Sequence, residues 1–174
     1  MGAPSSAFFS KVGMLGQRGV ELIEEILIRP VQTADFPQWK VLWDGYNAFY
    51  GRIDATALPE ETTRMTWSRF FDAYEPMHAL VTEQAGELVG LVHFIYHRST
   101  ISIAPTCYLQ DLFTRESARG KGVGRALIDE VYKVAKEAGS ARVYWLTHES
   151  NEMAMKLYDK VADKSGFIVY RKAL

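Results

Sequence analysis

The chain has 174 residues, 48% of them apolar and 24% charged, with a formal net charge of −1. Those proportions exclude a disordered chain, and the near-zero charge leaves no electrostatic footprint for nucleic acid. A single cysteine, Cys107, excludes an intrachain disulfide and a cysteine-based zinc site.

No apolar run reaches the roughly 18 residues of a membrane helix. One free thiol fits a reducing compartment, the cytoplasm or the nucleus. The length suits one domain with a substantial core.

Residues 1–25 read as a flexible N-terminal extension rich in glycine, proline and serine, and the domain runs from 26 to 174. The extension opens Met1-Gly2-Ala3-Pro4-Ser5-Ser6, which matches the N-myristoylation pattern but has no basic patch behind it. A first strand is expected over 26–31. Thr33 or Asp35 then starts a helix carrying Trp39, Leu42, Trp43, Tyr46, Phe49 and Tyr50. That spacing favours a buried amphipathic face over the lining of a substrate groove.

Leu58-Pro59-Glu60-Glu61 marks a second helix start, with the proline near its first turn. Met65, Trp67, Phe70 and Phe71 follow, and Pro76 closes the segment. Strands at 79–83 and 88–96 flank the turn Gln84-Ala85-Gly86-Glu87. A loop then delivers the chain to a β-prone run at 108–114, in which Asp111 is the one charge.

A polar break precedes Arg119-Gly120-Lys121-Gly122-Val123-Gly124-Arg125. From Ala126, Leu127, Val131, Val134, Ala135 and Ala138 recur at helical spacing until Gly139. Residues 141–147 read as a central buried strand. His148-Glu149-Ser150-Asn151 forms a polar corner, a last helix carries Ala154, Leu157, Tyr158 and Val161, and 167–171 reads as a final strand.

The turn at 119–125 is built to capture an anion. Its alternate glycines let the backbone approach a ligand, and the first amides of the following helix are free to donate. Arg119, Lys121 and Arg125 add full charges, although cations at a helix start oppose its dipole. A bound phosphate reconciles the two. Neither the nucleotide P-loop spacing nor the Rossmann fingerprint is present.

The spacing R-x-x-G-x-G from Arg119 to Gly124 resembles the pyrophosphate loop of the GNAT superfamily of N-acetyltransferases. The order of strands and helices over residues 26–172 is similar to that family's as well. So is the run Asn151-x-x-Ala154-x-x-Leu157-Tyr158 followed by Gly166-Phe167.

The resemblance implies an α/β GNAT fold, a mixed and mostly antiparallel sheet flanked by helices. It implies acetyl-CoA as cosubstrate, held by Leu112, Phe113, Thr114, Arg119, Gly120, Lys121, Gly122, Val123, Gly124, Arg125 and Asn151. It also implies self-association as a homodimer or other homo-oligomer. The block 143–151 further resembles a fungal subgroup whose members acetylate histones, polyamines or D-amino acids. A non-catalytic acyl-CoA-binding sensor or interaction module is the alternative function.

Direct transfer to a primary amine, small or on a peptide, needs three aids. A primary amine has a reference pKa of about 10.4, so a base or desolvation must free its lone pair. An amide of the 112–114 segment is expected to meet the thioester oxygen. The departing sulfur takes a proton, for which the resemblance implies Tyr158.

For the base, polyamine acetyltransferases carry a Glu where this chain has Gln110, which takes no proton. Asp111 either binds the substrate ammonium or holds structure, and strand alternation sets it opposite Gln110 and Leu112. Glu149 is a second candidate, with helix capping or plain solvation as its other readings. His93, His97 and His148 form no metal spacing, so no metal is expected. A lone strand cysteine, Cys107, reads as core before acyl carrier.

Overall fold

A computed structural model describes residues 26–174 together with one two-residue strand, β1 (Ser10–Lys11). The remainder of the expected extension, its myristoylation-like start included, lies outside the described residues. From β2 (Leu27–Pro30) the chain passes through α1 (Phe36–Phe49) and α2 (Glu60–Arg69). It then forms a three-strand meander, β3 (Met77–Gln84), β4 (Glu87–His97) and β5 (Thr106–Thr114). α3 (Val123–Glu137), β6 (Arg142–Tyr144) and α4 (Glu152–Tyr158) complete the order.

The six strands lie in one sheet in sequence order. Every adjacent pair is antiparallel except β5–β6, which is parallel. This is the mixed, mostly antiparallel sheet the sequence leads one to expect.

Each face of the sheet has its own core. α1 can start where it does because Pro37 occupies its first turn, where a missing N–H costs nothing. Its aromatic stripe then buries Trp39, Trp43 and Tyr46 against Val81, Leu88 and Leu91. On the other face α3 buries Val123, Leu127, Ile128, Val131 and Ala135 against Val89, Val92, Cys107 and Leu109.

Gly90 sets how close α3 can come. A Cβ there would lie 3.0 Å from Val123 Cγ1 and 3.1 Å from Leu127 Cδ1. A larger residue on β4 would lift the helix off the strand.

The structure corrects three sequence expectations. α3 begins at Val123, ahead of Ala126, because Gly122 at φ +83° takes the cap position and Val123 is already buried. The expected strand over 141–147 shrinks to Arg142–Tyr144 at the sheet edge, and Leu146 beyond it is 52% exposed.

The expected strand over 167–171 is not formed. Phe167, Ile168, Val169 and Tyr170 lie outside any ladder and are largely exposed. The reason is common to both segments: a strand exists only where a neighbour supplies hydrogen bonds. Among the described residues nothing pairs with the outer side of β6.

Candidate active site

β5 and β6 part company midway. β5 pairs with β4 as far as Thr114, but β6 pairs with it only opposite Thr106, Cys107 and Tyr108. From 109 to 114 the β6-facing edge of β5 therefore has no ladder partner among the described residues. Leu112, Phe113 and Thr114 lie on this open edge, where main-chain groups can serve a bound molecule.

The start of α3 and the end of α4 close the far end of the split. A Cβ on Gly124 would sit 3.6 Å from Leu157 Cδ2 and 3.7 Å from Thr114 Oγ1. Three elements thus meet at one glycine.

Two of the three glycines shape the turn beside that junction, and Gly124 already belongs to α3. Gly120 and Gly122 take φ +73° and +83°, a region where a side chain is strained. Nothing lies within 4 Å of a Cβ position on Gly120, so the cradle is open. Val123 is buried and offers the cradle only its backbone.

α3 has no acid in its first turn, so its free amides and positive dipole end stay uncompensated. Arg119 folds back to donate from Nε to the Thr114 carbonyl at 3.1 Å, with its guanidinium 5.8 Å above the Phe113 ring. Lys121 is exposed, and Arg125 keeps a loose contact of 3.5 Å with Asp129. Backbone donors, a helix start and three cations in one open turn fit a diphosphate well.

The other end of the split is set by a β-bulge. Asp111 stands opposite His93 and Leu109 opposite Phe94, which leaves Gln110 as the surplus residue on β5. Plain alternation would put Asp111 on the same face as Cys107 and Leu109. Those two pack toward α3, whereas Asp111 turns toward α1. Asp111 and Leu112 do lie on opposite faces, as expected.

Asp111 is only 6% exposed and is held by a buried chain of donors. Trp39 Nε1 lies 2.9 Å from His93 Nε2, and His93 Nδ1 lies 3.0 Å from Asp111 Oδ2. An indole N–H can only donate, so His93 Nε2 accepts and Nδ1 carries the proton given to Asp111. The tautomer is therefore fixed by a tryptophan on α1.

Tyrosines surround what remains of the carboxylate. Burial first, and then Asp111, hold the Tyr46 proton far above the usual phenol range. Tyr50 is raised by burial and then by Asp111. Tyr158 is pushed up to about 12 by burial and then by Tyr50. Tyr158 itself packs against Trp145 with ring centroids 5.3 Å apart.

A family model described as Acetyltransferase (GNAT) family matches residues 39–162. The chain belongs to the GNAT family of acetyltransferases. Among its relatives is the D-amino-acid N-acetyltransferase HPA3 of Saccharomyces cerevisiae, 32% identical over 151 residues, 86% of this chain and 91% of that one. Membership makes the chain an acetyl-CoA-dependent N-acetyltransferase.

Two solved structures share the fold. A ribosomal-protein-alanine N-acetyltransferase from Brucella melitensis superposes with a TM-score of 0.71 at 19% identity, covering 86% of this chain and 99% of that one. An aminoglycoside N-acetyltransferase in complex with CoA does so with a TM-score of 0.72 at 18% identity, covering 92% and 100%.

On this GNAT scaffold the expected site residues divide. Thr114 meets the start of α3 at Gly124, Arg119 reaches back over Phe113 to the Thr114 carbonyl, and Asp111 lies apart with His93. Asn151 stands just before α4 without a side-chain capping bond, its Nδ2 donating instead to Thr147 Oγ1 at 3.4 Å. Glu149 is exposed in the corner before it and makes no side-chain hydrogen bond among the described residues.

Sequence reasoning missed His93, Trp39, Tyr46 and Tyr50 as neighbours of the carboxylate. The only signal for Tyr46 and Tyr50 was the density of aromatic residues on α1; nothing in the chain tied His93 to Asp111. No group of metal-ligating side chains occurs among the described residues, and no described helix is long and apolar enough to cross a membrane.

Proposed function

We propose that this GNAT enzyme moves an acetyl group from acetyl-CoA directly to a primary amine, with both substrates bound at once. The observation that carries this reading is a single strand bearing both halves of the site. The open edge of β5 at 112–114 adjoins the glycine cradle, and Asp111 stands at its other end with its carboxylate toward the aromatic face of α1.

Acetyl-CoA, when bound, supplies the acetyl thioester whose carbonyl the amine attacks. The turn 119–125 holds the diphosphate, and Asn151 at the start of α4 contacts the coenzyme. An amide at 112–114 donates to the carbonyl oxygen as negative charge grows on it. Asp111 receives the substrate ammonium and takes a proton from it, freeing the lone pair. His93 holds the carboxylate in place through the hydrogen bond that Trp39 directs.

Tyr158 donates its phenol proton toward the departing sulfur. Burial keeps that hydroxyl protonated well past neutrality, so it is a dependable donor. Glu149, exposed beyond the end of β6, serves at most in receiving the proton near solvent.

The relatives named above differ in what they acetylate, a D-amino acid, a protein alanine or an aminoglycoside; each presents an amine nitrogen. The acceptor here belongs to the same broad set of small amines, amino acids and protein lysines. We also take the enzyme to act in the cytoplasm or nucleus and to self-associate, the latter supported by the uncovered edge of β6. Light scattering that shows a monomer with coenzyme bound would reject self-association.

Free-thiol release across a panel of amines tests the central reading. Coenzyme binding without thiol release from any amine would instead mark a non-catalytic acyl-CoA sensor.

A further inference from the structure

One cation beside the proposed acceptor site has no acidic partner among the described residues. Arg52 follows the left-handed turn at Gly51 (φ +73°) that ends α1. Its Nε donates to Asn47 Oδ1 at 2.6 Å, and its backbone N–H donates to the Asn47 carbonyl at 3.0 Å. Asn47 is itself buried and fixed, donating from Nδ2 to the Trp43 carbonyl at 2.8 Å.

The guanidinium carbon lies 5.6 Å from the Tyr46 ring centroid and 5.4 Å from that of Tyr50. Among the described residues no carboxylate comes within ion-pair distance of it, and neither Nη atom has a hydrogen-bond acceptor. A half-buried arginine held by its Nε and by two rings, with its fork unused, is preorganised to bind an anion.

The same tyrosines lead to Asp111. Tyr46 stacks on Trp43 at 5.3 Å, Trp43 lies 5.2 Å from the His93 ring, and His93 holds Asp111. Tyr46 and Tyr50 each sense the negative charge of Asp111 and the positive charge of Arg52. The same two tyrosines thus neighbour a buried carboxylate and a cation that has no acidic partner among the described residues.

Resting on the proposed function, we infer that the acceptor is an amino acid, its ammonium at Asp111 and its carboxylate on the free fork of Arg52. A polyamine would set its second ammonium against Arg52, a like-charge contact that the site disfavours. The aromatic rings of Tyr46 and Tyr50, which neighbour both groups, suit the acceptor's carbon framework.

Initial rates with alanine, with alaninamide and with a simple diamine, both enantiomers of the first two, test this in the wild type and in Arg52→Met and Arg52→Lys. The wild type should favour alanine over alaninamide in kcat/KM by roughly tenfold or more, for at least one enantiomer. Arg52→Met should collapse that ratio by raising KM for the acid, and Arg52→Lys should restore part of it.

An equal effect of Arg52→Met on acid and amide, or a wild-type preference for the amide or the diamine, overturns the inference. If neither variant folds, the wild-type ratio alone decides. No thiol release with any of the three acceptors would instead sink the underlying assignment of acetyl transfer.

Discussion

His93 Nδ1 lies 3.0 Å from Asp111 Oδ2, and because Trp39 occupies the other ring nitrogen, the proton between them belongs to histidine. The carboxylate is thereby held as an acceptor with one side committed and the other facing Tyr46 and Tyr50. Removing its charge should leave the frame standing, since an amide oxygen can still accept from His93. Asp111→Asn is therefore expected to lower kcat/KM for the amine by about a hundredfold or more, with coenzyme affinity unchanged. Steady-state thiol release and calorimetry with CoA separate the two, and wild-type turnover in this variant removes Asp111 from the reaction.

Tyr158→Phe should lower turnover by about tenfold or more and spare coenzyme binding. Because burial and Tyr50 push this phenol up to about 12, its ionisation should not shape the rate near its ordinary value of 10. An alkaline limb at pH 10 that vanishes in Tyr158→Phe would contradict this.

Stability should follow a related pH dependence. Tyr96 and Tyr158 are both pushed up to about 12, in each case by burial first. Below pH 10 both phenols are protonated whether the chain is folded or unfolded, so these groups make no pH difference there. Between 10 and 12 only the unfolded chain releases the protons, and stability falls as pH rises. Burial also pushes the Cys107 thiol up to about 11 from an ordinary value near 9, so the fall begins with that group before the phenols join it. Urea midpoints at pH 7, 8, 10 and 11 check this, with a flat segment expected from these groups only below about 8.

Gly120→Ala places a side chain at φ +73° in a position where a Cβ meets nothing within 4 Å. The folding cost should then be only the backbone strain, about 1 kcal/mol or about 3 °C in melting temperature. The coenzyme should suffer more, because the new methyl projects into the cradle; a Kd raised tenfold or more is expected. Equal CoA affinity in the two proteins would show that the diphosphate sits elsewhere.

Cys107 is fully buried and its thiol is pushed up to about 11 by that burial. It should resist iodoacetamide in the native enzyme and react once unfolded. Two-substrate kinetics should give intersecting lines, the mark of a ternary complex. Parallel lines would return Cys107 to consideration as an acyl carrier.

Much of this was legible in the chain. The glycine spacing at 120 and 122 announced a turn of special backbone shape, because positive φ is a local demand that glycine meets best. The aromatic spacing of α1 announced a buried face for the same kind of local reason. What stayed hidden depended on partners distant in sequence. The pairing of His93 with Asp111 spans 18 residues and exists only through strand register. The run 167–171 has every local mark of a strand and still forms none, since propensity cannot supply a neighbour.

The surplus residue Gln110 carries a consequence for how such enzymes diversify. Inserting or deleting one amino acid at that point swaps which layer of the molecule receives the carboxylate two positions after Leu109. A catalytic acid could thus be retired to the opposite interior, or recruited from it, without any change in its identity. Residue-by-residue comparison along this strand would then match the letters and misplace the chemistry.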